Sequence, residues 1–323
     1  MPRFAPLRGF RLASVVAETP DRPEVVAPRP DVDLVAEAEV LERQGDLVPL
    51  PRRSIGAGRA LDPRRSDVDG WGRSEHLREL TRTLYDPIYK HYFRVEWEHF
   101  DRLPTSGGAL LVANHAGAIP PDAPAIMHGI EKELGRRVYG LAENLFRSVP
   151  VVGTLWARGG GVAAHPDKAY RLLHDEGQLV LVFPEGTKAT GKRFTERYQL
   201  HRFGRGGFVE IAMRAGVPVI PIAVVGAEEA MPIVFKSSRL AKMMGLPYFP
   251  VTLNMLMMGP LGLVGYLPAK FRLRVLPPIS FDVAPDQERY SRSRVMDESE
   301  RIRASVQEAL YDMLRTRRSV WFG

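Results

Sequence analysis

Three short, wholly apolar runs separated by helix-length stretches constrain this chain most. Ala109–Ala113 (ALLVA), Gln178–Phe183 (QLVLVF) and Val217–Val225 (VPVIPIAVV) carry no charge. They are too short for core helices, so each reads as a strand buried on both faces. Arg137–Leu141 and Phe271–Leu276 read as further strands, and Phe93–Phe100 alternates like a half-buried one. Between them, Pro166–His174 and Phe208–Ala215 read as helices, closed by Gly177 and Gly216. Another helix-like stretch follows the Arg137 run and extends through Phe146. This alternation predicts an α/β domain, with a mixed, largely parallel sheet flanked by helices. Functional residues in such sheets gather at the strand C-termini. Two polar clusters stand there: Asn114-His115 after the first run, and Glu185-Gly186-Thr187-Lys188 behind Pro184 after the second.

The chain has 323 residues and changes texture near residue 75. Residues 1–74 are rich in Pro, Arg, Asp and Gly, which predicts a flexible, disordered arm with a short helix around Val32–Arg43. Met1–Ala17 lacks the compact apolar run of a signal peptide. Residues 75–323 are expected to form one domain. Leu77–Phe93 reads as an amphipathic helix kinked near Pro87, and Asp297–Arg318 as a second with Ile302, Val306, Leu310 and Met313 on one face. Met243–Ala269 has no charged residue, but glycines and prolines interrupt it. It is therefore expected to be an insertion that lies on or dips into a membrane, not a spanning helix.

With no cysteine in the chain, thiolate nucleophiles, disulfides and Cys-ligated zinc are excluded. The net charge of +7 suits an anionic partner. No nucleic-acid reading module accompanies that charge, so nucleic acid is not an expected partner. Gly186–Arg193 nearly spells a phosphate loop, yet Arg193 stands where its Ser or Thr belongs. A serine-hydrolase elbow, Gly-x-Ser-x-Gly, does not occur.

A histidine directly after a buried strand, in a loop rich in Gly and Pro, is placed to face a cleft. An imidazole titrates near pH ~6.5 and can take a proton from a hydroxyl. Asp122, the only carboxylate close by, is suited to hold its tautomer. Alone, a His near an Asp is more often a histidine bonded to a carbonyl. Three motifs in order change that weighting: Asn114-His115, Phe183-Pro184-Glu185-Gly186-Thr187, and Val217-Pro218-Val219-Ile220-Pro221-Ile222. Together they resemble the lysophospholipid and glycerolipid acyltransferase superfamily over roughly Val95–Gly226. The spacing departs from the family's His-x4-Asp, since six residues separate His115 from Asp122 and Pro120 takes the usual Asp position. Lys188 replaces the family's arginine.

The resemblance implies an O-acyltransferase of the 1-acylglycerol-3-phosphate acyltransferase kind. His115 and Asp122 would be catalytic. Asn114, Arg158, Glu185, Gly186, Thr187 and Lys188 would bind substrate, with His165 an alternative to Arg158. It implies no cofactor or metal. Acyl-CoA or acyl carrier protein would be the thioester donor, and a glycerolipid or lysophospholipid hydroxyl the acceptor, in phospholipid biosynthesis or remodelling. A neutral glyceride, another alcohol, or non-catalytic lipid binding are the alternatives. Peripheral or monotopic attachment to the cytoplasmic face of a membrane is expected. The basic residues Lys188, Lys192, Arg193, Arg197, Arg202 and Arg205 read either as a contact for anionic head groups or an acidic acyl carrier, or as a solvated loop face. Trp321 and Phe322 read as a packed terminus or an interfacial anchor.

Overall fold

The computed structural model describes residues 67–117, 119–142, 152–244, 249–285, 287 and 289–323. The expected helices around Val32–Arg43 and through Phe146 lie outside them.

Residues 67–74, assigned to the arm from sequence, are part of the fold. Asp69 accepts the N–H groups of Trp71 and Arg73 and the hydroxyl of Tyr139, the last at 2.6 Å. Arg73 is buried and meets Glu131 at 2.7 Å, while Arg78 binds the other oxygen of the same carboxylate. This pairing bridges 58 positions and has no local sequence signal.

Ser74 caps helix α1 (Glu75–Pro87) by accepting the Leu77 N–H at 3.1 Å. Past Pro87 the chain continues as a π-helical stretch, Ile88–Tyr92, so the predicted kink is a widening of the helix. Strand β1 (Glu96–Glu98) is shorter than expected, and β2 (Ala109–Ala113) matches the apolar run. Helix α2 (Asp122–Leu134) follows the His–Asp loop and ends at Gly135 in the left-handed region. Then come β3 (Val138–Ala142), α3 (Val152–Arg158), β4 (Gly161–Ala163), α4 (Pro166–Tyr170) and β5 (Leu179–Val182). After α5 (Thr187–Thr190) and α6 (Gly207–Ala215) stands β6 (Val219–Val225), followed by the short helix α7 (Ala227–Ala230).

The described residues form a seven-stranded sheet in the order β1, β9 (Arg272–Val275), β6, β2, β5, β3, β4. Only the β6–β9 pairing is antiparallel. The expected mixed, largely parallel sheet is therefore present. Alternation along β2 explains its uniform apolarity: Ala109, Leu111 and Ala113 face α2, with Ile126 and Ile130 in the same cluster. Leu110 and Val112 face α6, with Val209 and Met213.

Beyond β6 lies the apolar segment. Strands β7 (Ile233–Lys236) and β8 (Pro250–Thr252) pair antiparallel, flanking α8 (Ser238–Met244), and α9 (Leu253–Met258) leads into a 3-10 turn, Gly259–Leu263. Asn254 ties its base down, donating to Ala230 O at 3.0 Å and Gly265 O at 2.6 Å. Leu256, Met257, Met258, Leu261 and Val264 remain exposed. Among the described residues, no helix is long and apolar enough to cross a membrane. Helix α10 (Arg292–Thr316) begins five residues before its predicted start and buries Ile302, Val306, Leu310 and Met313. The tail beyond it is held by Val320 O, which accepts the Lys270 N–H at 3.0 Å, and by Arg317 paired with Glu229 at 2.8 Å.

Candidate active site

His115 leaves the end of β2, and Asp122 opens α2. Both Asp122 oxygens lie 3.1 Å from His115 Nδ1. The carboxylate also accepts the Ala116 N–H at 2.9 Å and the Ala123 N–H at 2.7 Å. The Ala116 bond closes the six-residue spacer, folding the long loop back on itself. Asp122 is wholly buried, and its negative charge is favoured at the N-terminus of α2. The His115 ring stacks on Phe183, with centroids 4.0 Å apart and planes at 21°. Its side chain is 14% exposed, so one edge reaches solvent. With Nδ1–H donating to Asp122, Nε2 is the nitrogen that can accept a proton. Such a pair can deprotonate a hydroxyl and stabilise the imidazolium formed.

Two of the expected substrate contacts have their polar atoms engaged within the fold. Asn114 is fully buried, and its amide bonds both backbone groups of Val224 on β6, accepting at 2.7 Å and donating at 3.0 Å. It extends the β2–β6 ladder by one rung and presents no group to a substrate. Glu185 is also buried. Its Oε1 accepts the His115 N–H at 3.4 Å, and its Oε2 accepts the His201 N–H at 2.8 Å and faces Lys192 Nζ at 3.3 Å. It braces the backbone of His115.

The remaining expected contacts separate. Gly186 sits at φ 62°, a conformation suited to glycine, directly after Glu185. The side chains of Thr187 and Lys188 lie outside the described residues. The backbone of Arg158 ends α3 just before β4 begins, and its carbonyl accepts the Ser74 N–H at 3.0 Å. Because β4 runs parallel with β3, β5 and β2, Arg158 starts from the sheet edge opposite His115. His165 instead follows β4, at the same edge as His115 but three strands away, about 14 Å at ~4.8 Å per strand. There it caps α4, accepting the Asp167 N–H at 3.3 Å.

Lys192, grouped by sequence with the surface cations, is buried between Glu185 and Glu228, 3.4 Å from the latter. Arg193, Arg197, Arg202 and Arg205 are exposed, with Arg193 near Glu196 at 3.5 Å and Arg197 over the Phe194 ring at 4.4 Å. Burial pushes the Glu228 carboxyl up to about 7, with Lys192 and the Tyr198 N–H pulling it back. Sequence reasoning did not single out Glu228 or the stacking role of Phe183. A pair of glutamates directly after an apolar strand is the one signal that pointed to the former.

The geometry can be set beside known proteins. Residues 94–225 match the family model described as Acyltransferase. An uncharacterized protein of Mycobacterium tuberculosis is 37% identical over 259 residues, covering 79% of this chain and 72% of its own. The chain belongs to the Acyltransferase family. It is also 23% identical over 256 residues to the DGAT1/2-independent enzyme synthesizing storage lipids of Bos taurus, spanning 75% of this chain and 71% of that one. The crystal structure of the 1-acyl-sn-glycerophosphate acyltransferase PlsC from Thermotoga maritima superposes with a TM-score of 0.46 at 20% identity, over 75% of this chain and 83% of that chain. This acyltransferase keeps the order of the three sequence motifs while lengthening the loop from His115 to Asp122.

Proposed function

We propose that this acyltransferase moves a fatty acyl group from a thioester, acyl-CoA or acyl carrier protein, to the hydroxyl of a glycerolipid. The observation that carries this is His115 Nδ1 held by both oxygens of a fully buried Asp122. His115 Nε2 takes the proton of the acceptor hydroxyl, and the oxygen attacks the thioester carbonyl. Collapse of the tetrahedral intermediate breaks the C–S bond. The imidazolium returns its proton to the departing thiolate, so no covalent enzyme intermediate is needed.

For the acceptor, lysophospholipid and neutral glyceride are the two readings. Among the described residues, the start of Arg158 at the far sheet edge and the burial of Glu185 leave fewer groups for a phosphate. That favours the neutral glyceride, as does the similarity to a cattle enzyme synthesizing storage lipids.

Attachment to the cytoplasmic face of a membrane is part of the same proposal. From Ala230 to Phe281 there is no acidic residue, and Arg239 and Lys242 are exposed beside the apolar side chains of the insertion. On α1 and the turn beyond it, Leu80, Leu84, Ile88 and Tyr92 form an exposed stripe at four-residue spacing. The Tyr92 hydroxyl donates to Tyr266 O, and the Tyr266 hydroxyl donates at 3.2 Å to Ile119 O in the His–Asp loop. The apolar surface is thereby linked to the loop that carries the chemistry, as suits a lipid acceptor arriving from a bilayer.

The test is release of CoA from palmitoyl-CoA by the purified chain with lysophosphatidate, another lysophospholipid, monoacylglycerol or diacylglycerol as acceptor. Acceptor-dependent release that His115→Ala abolishes is the expected result. Full turnover by that variant, or no thiol release with any acceptor from palmitoyl-CoA or from palmitoyl-acyl carrier protein used in its place, overturns the reading.

A further inference from the structure

Three side chains that a sequence reader would place on the surface meet in the interior beside His115. Lys192 Nζ lies 3.3 Å from Glu185 Oε2, 3.4 Å from Glu228 Oε1 and 3.3 Å from Gln199 O. Their side chains are 2%, 0% and 6% exposed for Lys192, Glu185 and Glu228. The carboxylates also hold backbone: Glu185 receives the N–H groups of His115 and His201, and Glu228 receives the Tyr198 N–H at 3.0 Å.

Their placement follows from the sheet order. β5, β2 and β6 are neighbours, and Glu185 and Glu228 stand just past the ends of the outer two. Lys192 therefore joins the two strand ends that flank the one bearing His115. Burying an ammonium group with two carboxyl groups is a poor route to stability, because desolvation offsets most of the attraction and apolar replacements are often as stable. What such a cluster does offer is a fixed geometry, here on the backbone N–H of the histidine.

We propose that Lys192 is a positioning residue for His115: by holding Glu185 between β5 and the end of β6, it fixes the His115 backbone so that the ring keeps its place against Asp122. This rests on His115 being the proton acceptor in the reaction above. Lys192 touches no reacting atom in this account, and it is not a contact for an anionic head group.

The test compares Lys192→Met, Lys192→Arg and the double variant Lys192→Met/Glu228→Gln in the full chain. Two readouts are used: steady-state CoA release from palmitoyl-CoA, and the rate at which diethyl pyrocarbonate modifies His115, followed by peptide mass spectrometry. Lys192→Met should lower kcat by about 10²-fold, the cost of a small displacement at the reacting group, with KM unchanged. Lys192→Arg should restore most of kcat, and the modification rate of His115 should change several-fold in both variants that carry Lys192→Met but not in Lys192→Arg. The double variant removes the excess negative charge and supplies a folded comparison if the single one does not fold. Wild-type kcat and unaltered His115 reactivity in a folded Met or double variant overturn the proposal, as does a loss confined to KM. If the wild-type chain transfers no acyl group, the proposed function fails, while the modification rates still decide whether Lys192 positions His115.

Discussion

Asn114 on the end of β2 bonds the amide and the carbonyl of Val224 on β6 with the two ends of one side chain. The strand pairing thus continues through a side chain at the point where the backbone turns away to present His115. Replacing Asn114 with Ala leaves two buried backbone groups without partners. A loss of about 2–6 kcal/mol in urea unfolding is expected, at roughly 1–3 kcal/mol for each of the two orphaned groups. A change within ~0.5 kcal/mol of wild type, the range typical of surface substitutions, would remove the ladder role.

Asp122→Asn should retain the fold, because an amide oxygen still accepts from the loop or from Ala123. It should lower kcat by about 10²–10⁴-fold by removing the charge that selects and stabilises the productive form of His115. CoA release at saturating donor measures this. Turnover within a few-fold of wild type would mean that the pair does not act as acid and base.

Glu228 makes stability depend on pH. Its folded-state value of about 7 lies above the ordinary 4.5, because burial, with a smaller push from the neighbouring Glu229, outweighs Lys192 and the Tyr198 N–H. Between those values the folded chain holds a proton that the unfolded chain has released. The contribution is complete below about pH 4.5 and lost as pH rises through 7. It amounts to on the order of 3 kcal/mol at 1.36 kcal/mol per unit. Urea midpoints across pH 5–8 should decline more steeply in wild type than in Glu228→Gln. Parallel profiles for the two proteins would refute this origin.

The apolar insertion offers a test independent of catalysis. Leu256, Met257 and Leu261 are exposed, so changing all three to Glu should cost little folding stability. Flotation with vesicles rich in phosphatidylglycerol should fall sharply, because the new charges oppose both apolar insertion and anionic lipid. Undiminished flotation would move the membrane contact elsewhere on the molecule.

The sequence disclosed what short-range pattern encodes. β2 was legible to the residue because five apolar positions end abruptly at Asn114, and the buried face of α10 was legible from its spacing. Helix α2 was missed, since Ala, Gly, His and Pro blur its apolar stripe, and β4 was hidden by Gly159, Gly160 and Gly161. His115 and Asp122 share one loop, so their meeting was open to inference. The fates of Asn114, Glu185 and Lys192 were not, because each has a partner distant in sequence: Val224, His115 and Glu228. Val224 is 110 positions from Asn114, and a charged side chain in isolation reads as solvated. The position of Arg158 was hidden for a related reason: its residue type suited a phosphate, but the strand direction that separates its backbone from His115 is set by pairing across the sheet.

His115 stands at the centre of the sheet's working edge, between two flanks of different construction. On one side lie the ends of β5, β3 and β4; on the other, β6 leads straight into the insertion and the pinned tail. The flanks meet through the strand that bears the histidine, through Lys192 between Glu185 and Glu228, and through Tyr198, whose N–H Glu228 accepts and whose hydroxyl accepts the Gly226 N–H. A substitution on either flank therefore reaches the histidine through shared side chains, and the proton-transfer pair is the part of the molecule that both flanks constrain.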